Sequence, residues 1–293
     1  MTQFLQQIIN GLSLGSIYAL IALGYTMVYG IIKLINFAHG DMYMLGAYIG
    51  FVAVTVMKLN FVFALVITMV ATGLIGILIE RIAYRPLRKS TRVVALITAI
   101  GVSFLLQNSV AKIMGVSIKG FPQDILPVQT WNIGGVVLNF KQVIIFTTAI
   151  FLMILLTVIV QKTKLGRAMR AVAVDADAAR LMGINVDNII SMTFAIGTSL
   201  AAAAGILVGV YYNSIDPMMG VAPGLKAFVA AVFGGIGIIP GAMIGGFSIG
   251  ITEVLISGYG SSMYKDAIVY GILILVLLLK PSGLLGKNRK EKV

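Results

Sequence analysis

The sequence predicts an all-α polytopic integral membrane protein, with about 8–9 transmembrane helices and broken or short helices in region 225–257. Three observations predict it. Hydrophobic residues make up 59% of the 293 positions and charged residues only 11%. A soluble domain carries about 25% charged residues, so this chain cannot cover a water-facing surface. The apolar runs are long and continuous, whereas a transmembrane barrel needs short alternating segments. The basic residues cluster beside those runs: of 22 Lys and Arg, five lie in Arg81–Arg92, five in Lys162–Arg180 and five in Lys280–Lys292. That is the positive-inside pattern, and it places all three stretches in the cytoplasm. The same clustering explains the net charge of +12 without nucleic acid as a partner. There is no Cys, hence no disulfide framework and no thiolate metal site.

Seven runs have roughly the length a span requires: residues 8–32, 42–57, 61–79, 93–111, 142–161, 189–212 and 266–280. The first lacks a basic leader and a cleavage signal, so it reads as a retained span. With Arg81–Arg92 inside, the run 93–111 goes outward and residues 112–141 are external. Pro122, Pro127 and Gly134–Gly135 give that loop turn chemistry. The run 142–161 returns to the cytoplasm, and 189–212 leads out again to Asn213–Pro223. Backward from Arg81, Lys33–Gly40 is cytoplasmic and the N-terminus external; the C-terminus is cytoplasmic.

The uncharged stretch Ala227–Thr252 needs separate treatment. As one helix it would be ~39 Å long at about 1.5 Å per residue, too long for a ~30 Å hydrocarbon layer. It contains FGGIGIIPGAMIGG, Phe233–Gly246, and clustered Gly and Pro break helices. Both flanks must be external, so two short helices turning at Ile239–Gly241 are expected. The total is nine crossings, or eight if Asp41–Met57 is re-entrant. Phe233–Gly246 lacks the GxxxxGK[ST] spacing and a preceding strand, so it reads as helix packing and a break rather than a phosphate loop.

GxxxG recurs at Gly11/Gly15, Gly46/Gly50, Gly205/Gly209, Gly237/Gly241, Gly241/Gly245 and Gly246/Gly250, which suits close packing of helices. GLSLGSIYAL at Gly11–Leu20 echoes GAMIGGFSIG at Gly241–Gly250 in its spaced small residues. With this much glycine the echo does not establish a repeat.

Few polar groups stand out. His39, the only histidine, lies in INFAHGD with Asn36 and Asp41. The trio is too small for a metal site. It reads as a polar turn with Asn36 or Asp41 capping the next helix, in preference to a His39–Asp41 proton relay. Glu253 lines a water-filled path, pairs with Lys265 or reaches the interface. No nucleophile–base arrangement, carboxylate pair or ligand cluster for an enzyme emerges.

The strongest local signal is Lys162–Asn188, a charged Ala-rich segment between two uncharged runs. Ala168–Met182 is rich in helix formers, and Gly183 stops it as a C′ glycine would. A membrane-surface helix would carry Lys/Arg on one face and bulky apolar residues on the other. This one is Ala-rich with mixed charge, which fits docking into a groove of a cytoplasmic protein.

Taken with its neighbours, that segment resembles a known family. GLSLGSIYALIALGYTMVYGIIKLINFAHGDMYMLGAY (Gly11–Tyr48), ERIAYRPLR (Glu80–Arg88), LGRAMRAVAVDADAARLMGIN (Leu165–Asn185), KAFVAAVFGGIGIIPGAMIGG (Lys226–Gly246) and YKDAIVYGILILVLLLKPSGLLG (Tyr264–Gly286) are similar to permeases of branched-chain amino acid ABC transporters, of the LivH type. The resemblance spans nearly the whole chain, as one permease domain, 1–293, with a coupling segment at 162–188. It implies a multi-pass permease of a prokaryotic cell membrane, importing leucine, isoleucine and valine by alternating access. It also implies a second homologous permease, two cytoplasmic ATP-binding subunits and an extracytoplasmic substrate-binding protein. ATP and Mg would bind in those partners and no cofactor in this chain. Coupling to the ATPase carries over onto Gly166, Arg167, Arg170, Asp175 and Gly183. Tyr18, Asn36, Tyr43 and Glu253 are the candidates for the path. Related permeases serve urea, amides or other amino acids, so the substrate stays open. The other class is a stand-alone ion-coupled carrier using His39, Asp41 or Glu253.

Overall fold

The chain winds around two helices that have no polar face over most of their length. In the computed structural model, which describes residues 2–34, 36–88 and 90–286, these are α1 (Thr2–Ile32) and α8 (Val186–Tyr212). A helix apolar on all sides must be buried on all sides. Ile17–Val28 of α1 and Leu200–Val210 of α8 are accordingly shut off from the surroundings. α2 (His39–Thr55) and α3 (Phe61–Ile79) pack on α8, and α9 (Val221–Gly234) and α10 (Ile239–Tyr259) pack on α1. α4 (Arg92–Met114), α5 (Phe140–Lys162) and α11 (Lys265–Leu279) lie further out. They expose bulky apolar side chains such as Phe104, Phe151 and Leu275, as a lipid-facing helix does.

Among the described residues, six helices are long and apolar enough to cross a bilayer: α1, α3 with its continuation to Leu87, α4, α5, α8 and α10. α2, α9 and α11 are shorter, with 17, 14 and 15 residues. The all-α polytopic expectation holds. Of the basic clusters, Lys89 and the C-terminal Lys287, Arg289, Lys290 and Lys292 lie outside the described residues.

The spaced glycines are used within the chain. Gly11 and Gly15 face Ile251 and Phe247, while Gly246 and Gly250 face Ala19 and Gly15. A Cβ on Gly250 would meet the backbone of Gly15, so only glycine permits this approach. The two segments that echo each other in sequence are therefore the two faces of one helix crossing. Gly46 and Gly205 do the same between α2 and α8, against Ala202 and Tyr43.

Three expectations are corrected. The break in region 225–257 falls at Gly235–Ile238, ahead of Ile239–Gly241. Gly235 and Gly237 take the left-handed backbone there (φ 108° and 90°). Pro240 starts α10 rather than ending a helix, because a residue in the first turn has no intrahelical N–H bond to lose. Only α9 is short; α10 has 21 residues. Second, residues 112–141 include a β-hairpin, β1 (Thr130–Ile133) with antiparallel β2 (Val136–Asn139). Gly134 and Gly135, both at positive φ, make its turn. The Gln6 side chain pins the hairpin to α1 by accepting from Val137 N at 2.8 Å and donating to its carbonyl at 3.0 Å. Third, the helix expected over Ala168–Met182 is two helices, α6 (Lys164–Val174) and α7 (Ala176–Leu181).

Candidate functional site

Two groups of polar side chains stand out, one beside the middle of α1 and the C-terminal end of α8, the other at the C-terminal end of α1 and the N-terminal end of α8. At the C-terminal end of α8 is a cavity of about 480 Å³, within the ~300–1,000 Å³ typical of small-molecule sites. Tyr18 of α1, Tyr43 of α2, Tyr212 of α8, Lys226 of α9, Glu253 of α10 and Lys265 of α11 line it. Lys226 Nζ donates to Glu253 Oε1 at 2.6 Å and lies 2.7 Å from Asp266 Oδ1 as an ion pair. The Tyr18 hydroxyl donates to Glu253 Oε2 at 2.8 Å. Lys226 and Glu253 are 4% and 5% exposed, so the pair is withdrawn from water, where a lone charge would be prohibitive. Apart from Ser214, the rest of the wall is apolar, including Leu14, Ile17 and Val208.

Three of the four path candidates, Tyr18, Tyr43 and Glu253, therefore meet at one cavity. The main ionic partner of Glu253 is Lys226, with Lys265 at 4.0 Å. Lys226 was not among the candidates because it sits at the border of the apolar run, where it reads as flanking charge. A lone cation between Pro223 and an uncharged helix was the available signal. Asn36 stands apart, at the other end of α1, where its Oδ1 accepts from the Tyr84 hydroxyl at 2.6 Å.

The expected cap on α2 is not made by Asn36 or Asp41. Ala38 occupies the N-cap position with no side-chain bond. Asp41, inside the first turn, accepts from Gln107 Nε2 of α4 at 2.8 Å. The buried His39 ring packs edge-on to Tyr25, 4.7 Å between centroids, and against Gly24. His39 and Asp41 form no hydrogen bond to each other, so no relay pair is assembled.

At the N-terminal end of α8 lies the second place. α5 turns sharply into α6 at Thr163, whose hydroxyl accepts from Gly166 N at 3.0 Å. Gly166 is buried against the Ile159 and Val160 carbonyls, and a Cβ there would run into both. Arg170 donates to the Val160 carbonyl, which locks the same corner. Asp175 breaks the chain between the helices: its backbone is extended, and its carboxylate caps α7 by accepting from Asp177 N and Ala178 N at 2.9 and 3.0 Å. Gly183 ends α7 in the left-handed conformation (φ 80°), as expected. Arg167 is exposed.

The inner face of this pair of helices is anchored. Val172 and Ala179 pack with Val28 of α1, Tyr84, and Val186, Ile190 and Phe194 of α8. The outer face is bare: Val174, Leu181 and Met182 are 75%, 90% and 82% exposed. Beside it, α3 runs into a widened π-helical turn at Glu80–Tyr84 and a 3₁₀ turn at Arg85–Leu87. Glu80, fully buried, is held by Arg88 and by the Ser191 hydroxyl at 2.6 Å. Arg85 and Arg88 each reach Asp187 at 2.5 Å. This network ties the base of α3 to the base of α8, and it went unread because its members lie about a hundred residues apart.

Comparison with known proteins places these features in a family. The family model described as branched-chain amino acid transport system / permease component matches residues 7–277. The high-affinity branched-chain amino acid transport system permease protein BraD of Pseudomonas aeruginosa is 46% identical, over 99% of this chain and 98% of its own length. LivH of Escherichia coli K12 is likewise 46% identical, with the same coverage. Among solved structures, PsaBC from Streptococcus pneumoniae shares the fold at a TM-score of 0.52 and 14% identity, covering 95% of this chain and 92% of the other. The chain is a transport subunit rather than an enzyme, and it belongs to the family of branched-chain amino acid transport system permease components.

Proposed function

We propose that this chain forms half of the translocation path of an ABC importer for leucine, isoleucine and valine. A second permease would complete the path, two cytoplasmic ATP-binding subunits would drive it, and an extracytoplasmic binding protein would deliver substrate. One observation supports this most: α1 and α8 each run unbroken from the coupling corner to the cavity. α8 meets α6 and α7 through Val186 and Ile190 at one end and lines the cavity with Val208 and Tyr212 at the other. At about 1.5 Å per residue its 27 residues cover ~40 Å, so a push at one end is felt at the other as rigid-body motion.

The bare Val174, Leu181 and Met182 face, flanked by Arg167, suits a groove on an ATP-binding subunit. Gly166, Arg170, Asp175 and Gly183 shape the corner that presents it. The cavity would face the outside, between Tyr18, Tyr43 and Glu253, and receive the amino acid from the docked binding protein. Closure of the ATP-binding subunits would then swing α6 and α7 and, with them, α1 and α8.

The chain has no native cysteine, so an introduced one is unique. Leu181→Cys in the assembled importer should cross-link to an ATP-binding subunit, with a yield that changes on adding ATP. A Leu181→Cys that stays free for small thiol reagents in the intact, active complex contradicts the docking assignment.

A further inference from the structure

We infer that the Lys226–Glu253 pair is a zwitterion site that opens to admit a free amino acid: Glu253 takes the α-ammonium and Lys226 the α-carboxylate. The inference rests on the importer reading above and deepens it. Lys226 and Glu253 bridge α9 and α10 at 2.6 Å across a cavity wall. Four charges meet here, Lys226 and Lys265 against Glu253 and Asp266, and they sum to zero.

That balance selects the ligand. A zwitterion adds no net charge, so it can insert into the pair and leave every buried charge with a partner. One contact, Lys226 to Glu253, is replaced by two. A singly charged solute would leave one protein charge unpaired in an apolar setting, which is costly. The groups are also held in place for the exchange. Tyr18 keeps Glu253 aimed at the cavity through its second oxygen, at 2.8 Å. Asp266, on α11, keeps hold of Lys226 at 2.7 Å when Glu253 is withdrawn. The apolar wall of Leu14, Ile17 and Val208 suits an aliphatic side chain beyond the α-carbon.

The test uses the complete importer in proteoliposomes, with its binding protein outside. Leucine uptake and ATP hydrolysis are measured together for the wild type, Glu253→Gln, Lys226→Met and the conservative Glu253→Asp. In Glu253→Gln and Lys226→Met the leucine carried per ATP should fall by about tenfold or more, the scale of an unpaired buried charge. KM, set by the binding protein, should move far less than the turnover number. Glu253→Asp should recover most of the uptake. If the single variants do not assemble, the neutral double variant Lys226→Met/Glu253→Gln should assemble and show the same loss. Unchanged leucine per ATP in both single variants overturns the inference. So does a parallel loss of uptake and ATP hydrolysis, or a double variant that fails to assemble, because either marks the pair as scaffold. Absence of branched-chain amino acid uptake by the wild type instead counts against the importer reading.

Discussion

Arg88 Nη1 lies 2.5 Å from Asp187 Oδ1, while the other terminal nitrogen of the same guanidinium holds Glu80. One arginine thus joins the widened turn after α3 to the first turn of α8, next to α6 and α7. Arg88 and Glu80 are shielded, with side chains 15% and 0% exposed. Arg85, by contrast, is half open to solvent at 48%. Arg88→Met should therefore lower stability by about 3–5 kcal/mol, since it strands a buried carboxylate. Arg85→Met should cost about 0–1 kcal/mol, as exposed pairs do. Thermal unfolding of the detergent-solubilised complex separates the two, and equal losses would contradict the assignment of Arg88 as the link.

Arg167 and Arg170 are one turn apart but do different things. Arg170 is bound to the Val160 carbonyl, and Arg167 has its side chain free on the surface. Arg170→Ala should cost about 0.5–1.5 kcal/mol of stability, the range for a hydrogen bond whose donor is open to solvent. Arg167→Glu should leave the unfolding temperature within error and reduce substrate-stimulated ATP hydrolysis by about tenfold or more, through a charge reversal at the docking face.

Gly166 sits where a Cβ would strike the carbonyls of Ile159 and Val160. Gly166→Leu should force α6 away from α5 at a cost of about 1–3 kcal/mol, as overpacking does. Because the corner carries α7, cross-linking from Leu181→Cys should fall in parallel. Retained cross-linking in Gly166→Leu would show that the corner does not set the docking geometry.

Asp175 caps α7 through two backbone N–H groups. Asp175→Ala should destabilise the segment by about 1 kcal/mol, and Asp175→Asn should recover most of it, because the amide oxygen can accept the same bonds. Hydrogen exchange at residues 176–181 reads this directly.

The sidedness of the chain is checked with the same cysteine-free background. Ser214→Cys, at the cavity end, should react with a membrane-impermeant thiol reagent added to whole cells. Leu181→Cys should react only in inverted vesicles stripped of the ATP-binding subunits.

Much of this was legible in the sequence, for physical reasons. Apolar runs of span length and flanking basic clusters report directly on the bilayer, so α1 to α5, α8 and α11 fall close to where they are expected. Tyr18, Tyr43 and Glu253 were legible as polar groups in apolar surroundings, and they converge on one cavity. Asn36 is a polar group of the same kind, but its side chain is held by Tyr84, which sequence distance hides. Lys226 does not stand out in the sequence, because a charge at the end of an apolar run looks like an interfacial anchor unless its partner is known. Pro240 was read as a breaker, yet a proline in the first turn starts a helix; only the positions of Gly235 and Gly237 decide which. The break at Asp175 was masked by the helix propensity of the alanines around it, although an Asp followed by helix formers is also a capping signal.

In the proposed importer one path, fed at the Lys226–Glu253 cavity and driven at the α6–α7 corner, carries branched-chain amino acids at the expense of ATP. Uptake of radiolabelled leucine into proteoliposomes tests it most directly, comparing the complete importer with ATP inside against the purified chain alone under proton and sodium gradients. Uptake is expected only from the complete importer, dependent on ATP and on the binding protein. Leucine uptake by the chain alone, driven by an ion gradient without ATP, would contradict it.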